Sequence, residues 1–167
     1  ASIEQDTDSF KRNLNIYVLS QNNSGFLVNS GTSLKNNLKT WLLSKKMIND
    51  TIDILDAKVV NVGLDYHIIA EEQQNKYELL NRATLAIQRV IYSSNYAIGE
   101  PIRLSNFYNA LKNVNGIMDV VNITLVKKSG SQYSSVDFSI HDFSSADGRT
   151  IYVPIDHIFE FKFPNQD

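Results

Sequence analysis

Apolar and polar positions alternate or recur along this chain in segments that can be read one by one. The clearest runs from Val60 through Val62, Leu64, Tyr66 and Ile68 to Ala70, where every second residue is apolar and the interposed Asn61, Gly63, Asp65 and His67 are small or polar. A period of two predicts a strand with one dry face. Asn13 to Ser20 and Thr51 to Leu55 alternate in the same way over shorter lengths, and Ile117 to Val126 reads as a further strand. Leu34, Leu38, Trp41 and Leu42 recur at helical spacing behind Ser33, so a helix is expected over 33–47 with Ser33 as its N-cap. Tyr77, Leu80, Thr84, Ile87 and Ile91, widened by Leu79, Ala83 and Val90, predict a second helix over 76–93. Ser105 is the expected N-cap of a short third helix carrying Phe107, Leu111 and Val114 on one side, and Gly116 stands where the chain needs positive φ after it.

Residues 1–12 are polar and read as a loose lead-in. Beyond the polar stretch 127–135, Val136 to Ile140 fits a strand, Ser144 to Gly148 is turn chemistry, and 150–154 with 157–163 read as the arms of a terminal hairpin. The expected class is α+β. A mixed sheet over 13–126, in β-α-β-β-α-α-β order, ferredoxin-like in its sequence of elements, carries its helices on one face. A small β extension over 127–167 follows.

Composition narrows what such a domain can do. Of 167 residues, 43% are hydrophobic, enough for a packed core. The net charge of −2 has no basic block that could track phosphate, so nucleic acid is not an expected partner. There is no cysteine, which removes disulfides, thiolate metal sites and thiol nucleophiles. No apolar run reaches the roughly 18 residues of a membrane span, so no membrane insertion is expected. The start without Met and the ending Pro164-Asn165-Gln166-Asp167 suggest a piece of a longer polypeptide.

Spacings that announce catalysis are missing: no GxxxxGK[ST] or GxGxxG loop, no GxSxG elbow, no HExxH helix. No catalytic, cofactor-binding or metal-binding residue is therefore assigned, and no enzyme is expected. His67, on the polar side of the long strand, is read as a solvated or half-buried strand position. His141, Asp142 and Asp147, with Asp156 and His157, could meet as a nitrogen–oxygen ion site, but their spacing matches no known ligand set, and turn residues flanking strands is the preferred reading. Glu71 and Glu72 are expected to favour the positive N-terminus of the helix behind them. Tyr17, Trp41, Tyr66, Tyr77, Phe107 and Tyr108 fall in phase with apolar faces and read as core. Phe159, Phe161 and Phe163 form a stripe that either closes the domain or contacts another chain.

Three segments in order carry a resemblance. Met47 to Ala57, followed by the long strand and a helix, then Ile98-Gly-Glu-Pro-Ile-Arg-Leu-Ser105, then Val114-Asn-Gly-Ile-Met-Asp-Val120, resemble the baseplate J-like family of contractile-tailed phages. That family shows a T-D-x-V-x-V-x-x-A strand, an I-G-x-x-I-x-x-S loop and a V-x-G-V-x-x-V segment in the same succession. The two ends, Arg12 to Ser20 and Tyr152 to Pro164, look closest to the large wedge proteins of its T-even-like members. The resemblance implies a structural subunit of the tail baseplate in the virion, assembled in the host cytoplasm, which pairs with its own copies and binds other wedge proteins. The rival expectation is a small-molecule regulatory domain, which the order of elements permits on fold grounds alone.

Overall fold

The computed structural model describes residues 1–6, 12–45, 50–72, 74–94 and 96–164, and the fold is α+β. Strands Ser2–Asp6 (β1) and Arg12–Val18 (β2) come first, then a small hairpin of Ser20–Gln21 (β3) and Leu27–Val28 (β4). Helix Thr32–Leu43 (α1), strand Asp50–Asp56 (β5) and the long strand Lys58–Ala70 (β6) follow. Helix Lys76–Ser93 (α2), strand Ile102–Arg103 (β7), helix Leu104–Lys112 (α3) and strand Ile117–Lys127 (β8) lead to the closing strands Thr150–Ile151 (β9) and His157–Glu160 (β10).

The strands divide between two three-stranded sheets where the pattern suggested one. The first has the order β1-β2-β5, with β1 antiparallel and β5 parallel to the central β2. The second has the order β10-β6-β8, with β10 parallel and β8 antiparallel to β6. Only Ala57 separates β5 from β6. Its N–H donates to the Val18 carbonyl at 3.1 Å, and the next N–H, of Lys58, donates to the Asp156 carbonyl at 2.8 Å. Successive backbone groups of an extended strand point to opposite sides. One nearly continuous strand therefore pairs with β2 on one side and takes up β10 on the other as it enters the second sheet.

Each sheet has its own core. In the first, Ile16, Val18 and Ile52 are buried, with Leu14 and Ile54 and with Leu38 and Leu42 of α1 packed against them. In the second, the dry face of β6 (Val60, Val62, Leu64) meets Leu79, Ala83 and Ile87 of α2, Phe107 and Leu111 of α3, and Phe159 of β10. The period-two reading of β6 holds for that face. On the other face Asp65 and His67 are exposed as expected, whereas Asn61 is buried.

Helix α2 spans the predicted 76–93, capped by the Asn75 side chain, which accepts from Tyr77 N–H at 3.1 Å. Its buried stripe is Ile87 of the expected stripe with Leu79 and Ala83, which were expected only to widen it, while Tyr77 and Leu80 are exposed. Two capping expectations are corrected. Gly31, not Ser33, precedes α1, with no side-chain cap, and residues 46–47 of the predicted helix lie outside the described residues. Ser105 lies inside α3, whose N-cap is Arg103. Tertiary pairing replaces the side-chain cap there: β7 pairs with β9, and Leu104 N–H donates to the Arg149 carbonyl at 2.8 Å. Gly116 has the positive φ expected of it, 95°, in the turn that leads into β8.

The two ends of the chain differ from expectation. Ser2–Asp6, read as lead-in, is a strand paired along Arg12–Val18, with Ile3 opposite Ile16 and Glu4 opposite Asn15. Five residues with a single strong apolar side chain carry too little periodicity to be read alone; residues 7–11 lie outside the described residues. Residues 136–140 form no strand, although Phe138 is buried and Val136 and Ile140 pack on the core. The expected terminal hairpin is absent: β9 pairs antiparallel with β7, and β10 pairs parallel with β6. Pro154 lies between the two, and the His157 N–H turns back to its carbonyl at 2.9 Å, so the chain changes partner instead of folding onto itself.

Candidate interaction surface

The groups that could have gathered for chemistry are spread out. Among the described residues no three His, Asp or Glu side chains are grouped to hold a metal ion. His141 is fully exposed beside Asp142, 3.6 Å away. Asp147 sits in a tight turn, where it accepts from the Ser145 hydroxyl at 2.6 Å and from Arg149 N–H at 3.1 Å. Those two bonds hold its carboxyl below the usual range. Asp156 and His157 do meet, Oδ1 to Nδ1 at 2.6 Å, and Lys58 Nζ lies 3.0 Å from the other carboxylate oxygen. This cluster closes the start of β10 against β6; it stands apart from the exposed His141 pair. Glu71 and Glu72 are exposed ahead of α2, and Glu78 is the acidic residue in its first turn.

The phenylalanine stripe closes the domain. Phe159 is 2% exposed and Phe161 9%, both within the second core. Phe161 packs on Phe107 and Tyr96, and Phe159 meets the ring of Phe138 edge-on. Phe163 is half-buried, edge-on to both Phe26 and Tyr133. The contact-surface reading of Phe159 and Phe161 is thus corrected, because rings enclosed by their own chain are not available to another.

Asn61 is the polar residue that sequence reasoning missed. It is 3% exposed, at the wall of an open cleft of about 530 Å³. Its amide donates to Glu160 Oε2 at 2.7 Å, its carbonyl oxygen accepts from Ser134 N–H at 2.6 Å, and the other Glu160 oxygen accepts from Leu27 N–H at 2.7 Å. The cleft is polar, but its central groups are engaged with one another. Period-two placement on the wet face of β6 gave no hint of this; the partner, Glu160, stands 99 positions later and is brought opposite Asn61 by the β6–β10 pairing.

What the fold leaves open is apolar. Helix α1 buries no residue fully: Leu38 and Leu42 face the sheet, while Leu34 is 50% and Trp41 61% exposed. Seven residues apart, these two share one shoulder of the helix. Lys35 and Lys39 on the opposite shoulder are bonded to Asp56 and Asp53 at 2.7 and 3.0 Å, so the helix is pinned over β5. Tyr77, Leu85 and Tyr92 lie on the side of α2 turned away from its core stripe, with Tyr77 87% and Tyr92 69% exposed. Met118 and Val121 of β8, an edge strand, are exposed as well. The expectation that Trp41 and Tyr77 belong to the core is corrected: a three-stranded sheet under a single helix cannot enclose both shoulders of that helix, and α2 presents a different stripe to its sheet.

No helix among the described residues is long and apolar enough to cross a membrane. No protein-family model matches the chain, and a search of curated proteins returns no match.

Proposed function

We propose that this chain is a structural piece of a contractile-tail baseplate wedge, related to the baseplate J-like family and within it to the large wedge proteins of T-even-like phages. In this reading it has no catalytic role. It resides in the virion, pairs with copies of itself and binds other wedge proteins, without nucleic acid or membrane as partners. The observation that carries the reading is the set of large exposed apolar side chains on regular elements, Leu34 and Trp41 on α1 and Tyr77, Leu85 and Tyr92 on α2. Isolated apolar residues on a surface are ordinary, but several on one helix shoulder mark a contact face. The ordered succession of the three motif segments supports the specific family. The small-molecule reading gains nothing from the cleft beside Asn61, whose amide and facing carboxylate already bond each other and the backbone.

Sedimentation velocity over a range of concentrations, alone and with the proteins encoded beside it, tests the proposal. Concentration-dependent or mixed assembly should appear, and Trp41→Glu or Tyr92→Glu should weaken it while leaving the circular dichroism unchanged. A chain that stays monomeric and ignores the products of its neighbouring genes would sink the assembly role.

A further inference from the structure

We infer that the molecule is built as two bodies that swing about Ala57 and are locked together by the β3–β4 hairpin. The first body is β1, β2, α1 and β5; the second is everything from β6 onward. Among the described residues, their hydrophobic cores have none in common. Tyr17, Ala57 and Ile158 are buried but belong to neither core. Ala57 is the crossover residue itself, Tyr17 precedes the Val18 that receives its N–H, and Ile158 pairs with Val59 just beyond it. The apolar joint at the crossover is thus a small seam, set at the one point where the backbone passes between the sheets.

The hairpin supplies a second connection. It lies between β2 and α1 and is tied to the first body through Ser20, whose hydroxyl bonds that of Ser30, while its tip contacts the second. Leu27 N–H donates to Glu160 Oε1 at 2.7 Å. The Phe26 ring meets Phe163 edge-on at 5.5 Å, and the Lys162 ammonium lies over Phe26 at 5.3 Å. Glu160 is in turn bonded to Asn61 at 2.7 Å, in the strand that continues from the crossover. Apart from these contacts, the Ser2 hydroxyl reaches the Ile155 carbonyl at 2.9 Å in an exposed position. Hydrogen bonds at an exposed or half-exposed site exchange readily with water, whereas opening either core would expose packed side chains. Release of the hairpin is therefore the low-cost motion, and it leaves both sheets intact. Because Leu27, Ala57, Lys58, Asn61 and Glu160 all line the cleft of about 530 Å³, anything that enters it acts on the hinge and the lock together.

The absence of cysteine allows two spin labels to be placed without background, at exposed Asn36 on α1 and exposed Arg89 on α2. The distance between them should be narrowly distributed in the otherwise unaltered chain. In Phe26→Ala/Leu27→Pro, which removes the ring and the N–H of the lock but touches neither core, the distribution should broaden or split while the circular dichroism is retained. The same narrow distribution in both proteins would overturn the proposal. Should the double variant fail to fold, amide hydrogen exchange in the unaltered chain decides. Opening of the β2–β5 amides as a unit apart from the β6–β8 amides supports two bodies, and opening of both ladders only together overturns them.

Discussion

Asn61 and Glu160 lie 99 positions apart in the sequence and share a 2.7 Å hydrogen bond that joins the wet face of the longest strand to the last one. Each uses its remaining oxygen to receive a backbone N–H, from Ser134 and Leu27 respectively. A buried amide with both ends satisfied is stabilising chiefly because its loss strands its partners. Asn61→Ala should cost about 1–3 kcal/mol in urea unfolding, from the unpaired Ser134 N–H and Glu160 oxygen. Asp65→Ala, four residues along on the same face but exposed, should change stability by less than about 0.5 kcal/mol. Equal effects at the two positions would deny the node its role.

Phe159 and Phe107 are almost completely enclosed, at 2% and 0% exposure. Truncation removes the transfer energy of the ring and leaves a cavity lined by groups that cannot close over it, so Phe159→Ala or Phe107→Ala should destabilise by about 3–5 kcal/mol. A thermal melt reads this directly. Because Phe159 is core, any loss of assembly on replacing it should accompany loss of fold, in contrast to Trp41→Glu. A Phe159→Ala protein that melts as the unaltered chain does would return that ring to the surface.

Local pattern made much of this fold legible. The dry face of β6, the bounds of α2, the strand after Gly116 and the turn at 145–148 all rest on interactions between near neighbours in sequence, which periodicity and turn chemistry report. Pairing between distant segments was not legible. Nothing local tells β10 to join β6 in parallel, β9 to seek Ile102 and Arg103, or Ser2–Asp6 to add to β2. The same limit explains the surfaces. An apolar stripe is visible in the sequence of α2, but which part of it is buried depends on how the helix is rotated against its sheet, and that is set by Val60, Val62 and Phe107. Phe159 and Phe161 were visible as a stripe, while their enclosure depended on Phe107, Phe138 and Tyr96 arriving from elsewhere.

Gly99 holds φ at 80°, and a Cβ built there would lie 3.3 Å from the Ile155 Cα. Its N–H donates to the His157 carbonyl at 2.8 Å, tying the loop before β7 to the start of β10. The neighbour is backbone, not a flexible side chain, so it cannot yield without disturbing the turn into β10. Positive φ alone costs an L-residue about 1–2 kcal/mol. Gly99→Ala should therefore lose at least that much, about 1–3 kcal/mol in all, by chemical denaturation. An unchanged midpoint would mean that the loop relaxes without strain.

Three ionisable groups, Asp156 and Tyr17 near the joint between the sheets and Asp53 within the first sheet, set the pH range over which the fold holds. Burial alone would raise the Asp156 carboxyl, but Lys58 and His157 outweigh it and leave it below the usual carboxylate value. The Lys39 ammonium, and then the Asn13 amide, lower Asp53. A carboxyl that is more acidic in the folded chain stabilises it at every pH above its unfolded value of about 3.9, and that stabilisation is lost as pH falls through the lower folded value. Asp53 is nearly half exposed, so most of the acid effect belongs to Asp156. Burial, and then Glu4, raise the Tyr17 hydroxyl, so its contribution is complete below about pH 10 and fades as pH rises through the higher folded value. Melting temperature should accordingly be flat from about pH 5 to pH 9 as far as these groups are concerned, and should fall on both sides. Asp156→Asn should lower the plateau and flatten the acid side, and Tyr17→Phe should flatten the alkaline side. An acid limb of unchanged slope in Asp156→Asn would place its origin in other carboxylates and remove Asp156 from the joint.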